Sequence, residues 1–500
     1  MCLMLKHFIH LHLMAAFSGI CLLYSCPANI IDPMQQESAA SESPVGLYSG
    51  VESIETKAID ESPEEGMGYM VLSSENSFQS QVTEPNTIYE IRAVIDLHGN
   101  ASIPAGCVLK FAGGRLCNGI LTGNDTEIDA PKYQIFDNCT LSGFNQPLHS
   151  KWWCVLDGRD NTAALQDAFN SVGQFGTLIL DRGYHLISNT VTIPDNCIQI
   201  LGDNESGMYP MSSIVFRKAT GTCLQITSHQ SLPNITISGI SMYGQTNLDK
   251  STLAGKFEYY ANTTAIDLTN DGLSPNINMA NCRIEHFAYI VKAQSNSYYN
   301  SFNNCRFFYF DKALYGFHAN NLSIVGCRVA NGYQFLYITS GDGQTILDRC
   351  SIENVTGRAI EVGTSIGKLI LTNSYVELAE PCERFIYGRI RALSITNNEI
   401  QNNGCWRTIE VFAPNSILMQ GNHWRFDKDH NNFDEGDLLI SHDTLRNLQL
   451  FVWTDSFENQ PSKAGFTSKY RPLISLRCTD KTAQSIGHDP VNGNQVTLIP

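Results

Sequence analysis

Between Pro275 and Phe426 a short pattern keeps returning, and it constrains this chain more than any other feature. Asn281-Cys282-Arg283-Ile284, Asn304-Cys305-Arg306-Phe307, Gly326-Cys327-Arg328-Val329 and Arg349-Cys350-Ser351-Ile352 share one form, and Asn373-Ser374-Tyr375-Val376, Asn397-Asn398-Glu399-Ile400 and Asn422-His423-Trp424 repeat it more weakly. The apolar anchors at 284, 307, 329, 352, 376, 400 and 424 lie 23, 22, 23, 24, 24 and 24 residues apart. A second set runs in phase at Ile290, Leu314, Leu336, Ile360, Ile386 and Ile409, and a third at Ile277, Leu322, Leu369, Leu393 and Ile417. Three short apolar segments per period describe a three-faced coil, the unit of a parallel β-helix. Leucine-rich repeats have a similar length, but their Leu-x-x-Leu-x-Leu spacing is absent. The expected fold is therefore all-β, with three-strand solenoid coils.

The rest of the 500 residues arranges itself around that repeat. Lys6 and several histidines precede an apolar run from Met14 to Leu23, too short to span a bilayer, so residues 1–25 read as an export signal. Leu23-Tyr24-Ser25-Cys26 resembles the lipobox of bacterial lipoproteins, which implies lipidation of Cys26 and an outer-membrane or cell-surface location. Plain secretion or a periplasmic location is the alternative. Contact with a membrane is expected only through that lipid. Residues 26–67, rich in Glu, Ser, Pro and Ala, suit a flexible acidic tether. Short alternations broken by Gly and Asn mark 68–153 as a small β-rich N-terminal domain. The β-helix is expected over 154–430, and the segment 431–500, where the repeat breaks, is expected to form a C-terminal β cap that protects the open edge.

Composition excludes some functions. A formal net charge of −16 argues against a general nucleic-acid binder, whose surface must be cationic. Of the 16 cysteines, Cys2, Cys21 and Cys26 belong to the signal and anchor, which leaves an odd number, so a full disulfide framework does not explain them. Periodicity does: Cys282, Cys305, Cys327, Cys350, Ser374, Asn398 and Asn422 fall in one column, two residues before the anchor. Small inward side chains stacked as a ladder account for this better than a reactive or metal-binding thiol row.

Upstream, Asp157-Gly158-Arg159-Asp160-Asn161-Thr162-Ala163-Ala164-Leu165 places Asn161 or Thr162 as the cap of a helix whose Ala164, Leu165, Ala168 and Phe169 share a face. Gly183-Tyr184-His185-Leu186-Ile187 follows. Together with the coil repeat, these segments make residues 152–425 similar to the pectate-lyase-like superfamily of right-handed parallel β-helix proteins. That group includes polysaccharide lyases, polygalacturonases, glycan epimerases and phage tailspikes. The resemblance implies a capping helix and a glycan laid along one face. It implies no single chemistry, since one fold hosts many.

Candidate chemistry lies on the second strand of each coil. The residues just after its anchor, Val291, Tyr315, Tyr337, Glu361, Tyr387 and Glu410, are expected to face outward. Two before it stand Ala288, Lys312, Gln334, Arg358, Arg384 and Arg407. Tyrosine rings stack on sugar rings, and arginines hold carboxylates bidentately. Tyr315, Tyr337, Tyr387, Lys312 and Trp406 are thus candidate substrate-binding residues. Arg358, Arg384 and Arg407 are candidates to bind a uronate or deprotonate it. Glu361 and Glu410, two coils apart, could act as the acid and base of an inverting hydrolase. Glu353 and Glu377, on adjacent coils after the first anchor, are a nearer pair, and each pair taken singly is a weak signal. Equally, such arginine and glutamate rows could simply pair with each other at the surface. Where polygalacturonases carry their acidic motifs, this chain has Asp311-Lys312-Ala313, Gly357-Arg358-Ala359 and Trp406-Arg407-Thr408, so that activity is not expected. No acidic cluster marks a calcium site, no metal ligands stand out, and a need for Ca²⁺ stays open. The expectation is a carbohydrate-active protein that binds an acidic polysaccharide and cleaves it, with β-elimination favoured over hydrolysis. A non-catalytic glycan-binding or adhesive protein and a structural spacer are the alternatives.

Overall fold

The computed structural model describes residues 66–427, apart from 174–175, 195–197, 204–210, 228–233, 246–258, 270–275, 295–296, 379–381, 403–404 and 406, together with Asp455 and the strands Leu439–His442, Gln449–Trp453, Ser456–Gln460, Ile474–Arg477 and Val496–Ile499. The export signal, Cys26 and the tether up to residue 65 lie outside the described residues, as does Trp406.

The described strands stack in parallel as a β-solenoid. Their register reproduces the sequence period. On the first face Met242, Ile284, Phe307, Val329, Ile352, Val376, Ile400 and Trp424 are Cα partners from coil to coil. On the third face the file runs Leu148, Leu178, Ile200, Ile237, Met279, Phe302, Ile324, Leu347, Leu371, Ile395, Met419 and Val452, twelve rungs in all. Inward side chains of successive rungs meet at the strand spacing of roughly 4.8 Å. Burying each Ile, Leu or Phe of these files is worth about 1.5–3 kcal/mol. The core they build is continuous from Leu72 to Trp424.

The corner before the first face explains the repeated Asn-Cys motif. Asn281, Asn304, Gly326, Arg349, Asn373, Asn397 and Gly421 all hold positive φ, between 51° and 66°. Asparagine and glycine enter that left-handed region most readily. The next residue turns inward. Cys282, Cys305, Cys327, Cys350, Ser374, Asn398 and Asn422 are all buried, and the described cysteines are unpaired thiols. Below the cysteines the ladder becomes a hydrogen-bond chain. The Cys350 amide donates to Ser374 Oγ (3.0 Å), the Ser374 amide to Asn398 Oδ1 (2.9 Å), the Asn398 amide to Asn422 Oδ1 (3.0 Å), and the Asn422 amide to Asp455 Oδ1 (2.9 Å). The column is structural.

Residues 68–142 are narrower parallel coils, forming a four-stranded and a three-stranded sheet. The helix Thr162–Ser171 buries Leu165, Ala168 and Phe169. Its Gln166 exchanges hydrogen bonds with the backbone of Thr192, each 2.8 Å, and Ser171 Oγ accepts from the Leu141 amide at 2.9 Å. The helix thereby covers strand edges that would otherwise stay unpaired. Asn161 is the N-cap, as the sequence suggests, but its side chain makes no capping bond and instead bonds the backbone of Val155 and Arg159, while Asp160 Oδ1 accepts the Thr162 amide (2.9 Å).

Two further expectations shift. The second-face anchor that pairs with Leu314 is Val291, not Ile290, so Val291 is buried and Lys292 takes the outward place beside Tyr315. Tyr289, not Ala288, then partners Lys312. A run of apolar residues through the corner hid this slip of one position. Beyond 431 the sequence repeat fades, yet the backbone adds rungs: Ile409, Leu439, Ile474 and Val496 are successive second-face partners.

Candidate functional site

The second face carries one outward file. Asp267, Lys292, Tyr315, Tyr337, Glu361, Tyr387 and Glu410 are Cα partners on consecutive rungs. Alternation with the buried anchors turns them away from the core. Tyr315, Tyr337 and Tyr387 are half-buried, whereas Glu410 is only 5% exposed and lies deeper than its file position predicted.

Aromatic rings and cations interleave along the upper half. Tyr315 and Tyr337 stack with centroids 4.8 Å apart, and Tyr289 meets Tyr315 edge-on at 5.4 Å. Lys312 Nζ sits 4.6 Å from the Tyr315 ring and 5.6 Å from the Tyr289 ring. Such contacts are worth about 0.5–2 kcal/mol and hold a cation beside a ring face. Burial first, then the neighbouring Tyr315 and Glu361, raise the Tyr337 phenol above its ordinary value, so it stays a donor.

The lower half is a network of ion pairs. Arg358 lies over Tyr387, its guanidinium carbon 4.2 Å from the ring, and contacts Glu361 at 2.6 Å and Glu383 at 3.5 Å. Gln334 donates to Glu361 at 2.6 Å, Tyr333 to Glu383 at 2.9 Å, and Arg384 to Glu410 at 2.5 Å. Burial pulls the Arg358 pKa down, but its hydrogen bond to Glu361 and the charges of Glu361, Tyr387 and Glu383 leave it raised. That is the opposite of what a general base needs; Arg358 stays a cation. Glu361 and Glu410 are both engaged with guanidinium groups, two rungs and about 9–10 Å apart. Arg407 follows Arg384 in register.

Sequence reasoning missed Tyr289, Lys292, Tyr333, Glu383, Asp311 and Tyr259. Asp311 stands one residue before Lys312, within the continuous strand Arg306–His318. Burial raises its carboxyl, opposed by Lys312 and by a hydrogen bond from Tyr259. Tyr259 lies 52 residues upstream, outside the clear repeat, so only its phase with Lys312 could have drawn notice to Asp311. Glu353, on the first face, contacts Arg328 at 3.1 Å. Glu377 partners Glu353 in register and accepts from Tyr375 at 3.0 Å. Among the described residues no group of three or more His, Cys, Asp or Glu is arranged to hold a metal ion, and no helix is long and apolar enough to cross a membrane.

No protein-family model matches the chain, and no curated protein does. Solved structures similar to it include ORF18 of Geobacillus virus E2, at 12% identity over 62% of this chain and 61% of that one, with a TM-score of 0.45. The chain thus spans less than two thirds of that protein. Another is the DFA-IIIase of Arthrobacter chlorophenolicus A6, at 11% identity, 71% and 92% coverage and a TM-score of 0.38. A third is the PL6 family alginate lyase AlyGC, at 11% identity, 76% and 57% coverage and a TM-score of 0.31. The fold assignment rests on the strand register.

Proposed function

We propose that this chain is a carbohydrate-active β-helix protein whose second face binds an acidic polysaccharide and cleaves it. The observation that carries this reading is the unbroken file from Lys292 to Glu410, whose Tyr315 and Tyr387 rings are flanked by the cations of Lys312 and Arg358 from the adjoining column. Tyr315, Tyr337 and Tyr387 offer ring faces and hydroxyls to sugars, and Lys312 and Arg358 receive uronate carboxylates. We favour β-elimination: cations draw charge from the carboxylate, the α-proton leaves, and the bond to the departing sugar oxygen breaks as the double bond forms. Arg384 and Arg407 stand one and two rungs beyond Arg358 for the proton transfer.

One observation favours hydrolysis as a second reading. Asp311, half-buried beside Lys312, is shifted in the direction a general acid requires. Incubation with a panel of uronic-acid polysaccharides, following ultraviolet absorbance of unsaturated products alongside reducing ends, separates the two. Absorbance that disappears in Arg358→Gln supports elimination; reducing ends without absorbance, lost in Asp311→Asn, support hydrolysis. Binding with neither product leaves a glycan-binding or adhesive protein. Tyr337→Ala is expected to weaken binding by roughly 1 kcal/mol or more, about fivefold to tenfold; unchanged binding would place the glycan elsewhere.

A further inference from the structure

The neighbouring wall carries a second file of a different kind. On the first face Arg283, Arg306 and Arg328 are Cα partners on three consecutive rungs, with Ser241 before them and Ser351 after. Rungs lie roughly 4.8 Å apart, so the three backbone positions fall within about 10 Å. Two guanidinium groups flank one ring: the carbons of Arg283 and Arg328 sit 5.6 and 5.8 Å from the centroid of Phe308. At the corner beside them His286 and Tyr309 stack with centroids 4.7 Å apart and ring planes nearly parallel.

The file's carboxylates are unevenly placed. Glu285 holds Arg283 through two contacts of 3.0 and 3.1 Å at the more enclosed end. Glu353 touches Arg328 once, at 3.1 Å, and the Arg328 side chain is 52% exposed against 20% for Arg283. Positive charge is thus presented to solvent toward the Arg328 end, on a chain of net charge −16. Arginines at this spacing repel one another, an effect that Glu285 and Glu353 offset in part and that a bound anion would offset further. Guanidinium forks recognise carboxylate and sulfate bidentately, and the adjacent rings suit sugar faces.

We propose that Arg283, Arg306 and Arg328, with Phe308, form a second binding site for the carboxylate or sulfate groups of an acidic glycan. It is separate from the tyrosine wall and independent of any cleavage there. The test is calorimetric titration of the full chain with an oligogalacturonate and with a sulfated oligosaccharide, at low and high salt. Arg306→Gln/Arg328→Gln is expected to weaken one class of site at least about tenfold, while Tyr337→Ala leaves that class unchanged. Arg306→Lys, which keeps the charge but loses the fork, is expected to fall between, and circular dichroism melting confirms that each variant is folded. Whichever ligand binds more tightly identifies the anionic group. Unchanged affinity in the double variant, equal binding of a neutral glucan, or displacement by duplex DNA at matched charge would overturn the proposal. Because the two walls are read by different variants, failure of one assignment leaves the other standing.

Discussion

Asparagine, glycine and cysteine divide the labour at the corner between the third and first faces. The left-handed position takes Asn or Gly on six of the seven rungs from 281 to 421, and Arg349 is the exception, at φ 52°. A residue with a long side chain pays roughly 1 kcal/mol there that asparagine largely avoids. Arg349→Asn is therefore expected to raise stability by about 0.5–1 kcal/mol in chemical denaturation, since its surface contact with Asp348 contributes little. Gly357 is constrained differently. A Cβ there would fall 2.7 Å from the ring and carbonyl oxygen of Tyr333, whose hydroxyl reaches on to Glu383. Gly357→Ala should displace that ring and cost about 1–3 kcal/mol, read as a lower denaturation midpoint.

At the scale of elements, the first rungs of the main stack are tied by a buried polar cluster. Ser150 Oγ lies 2.7 Å from His185 Nε2, the Asp181 amide donates to Ser150 Oγ at 2.9 Å, and Asp181 receives the Lys151 amide at 3.0 Å and lies 3.0 Å from His149 Nδ1. Ser150, Asp181 and His185 have no solvent exposure, so this serine–histidine–aspartate set is structural. Burial depresses the His185 pKa to about 4, against smaller opposing effects of the Ser213 carbonyl and Asp181. The unfolded chain takes up that proton below about 6.5 and the folded chain only near 4, so the stabilisation is complete above 6.5 and lost as pH falls toward 4. Burial raises Asp181, but its bonds to His149 and the Lys151 amide, with the charges of His149 and Lys132, outweigh this and leave it at about 2. Its contribution is present above its ordinary value of 3.8 and is lost only as pH falls through about 2. Between pH 6.5 and 4 the unfolding free energy should drop by roughly 3 kcal/mol, and His185→Gln should flatten that slope.

Over the whole molecule, each coil touches mainly its two neighbours, so stability is close to a sum of coil and interface contributions. Ile352, buried between Val329 and Val376, sits in the middle of the first-face file. Ile352→Ala should cost about 2–5 kcal/mol. Hydrogen exchange should localise the loss to rungs near 329, 352 and 376 rather than spread it evenly, because the described strands of each coil pair with those of adjacent coils.

The period, the three faces, the inward cysteine column and the outward alignment of Tyr315, Tyr337, Glu361, Tyr387 and Glu410 were legible from the order of residues alone. A solenoid converts sequence phase directly into spatial stacking, so a 22–24 residue recurrence needs no tertiary information to be read. Tertiary structure decided what phase cannot carry. At Ile290-Val291 two adjacent apolar residues are both buried, and only strand pairing shows which one is the anchor. Side-chain reach decided that Arg384 takes Glu410 of the next coil, while Arg358 takes Glu361 of its own. Burial, against the opposing charge of Lys312 and the hydrogen bond from Tyr259, raises the Asp311 carboxyl. Ion pairing and desolvation depend on distance and solvent access, and neither is periodic.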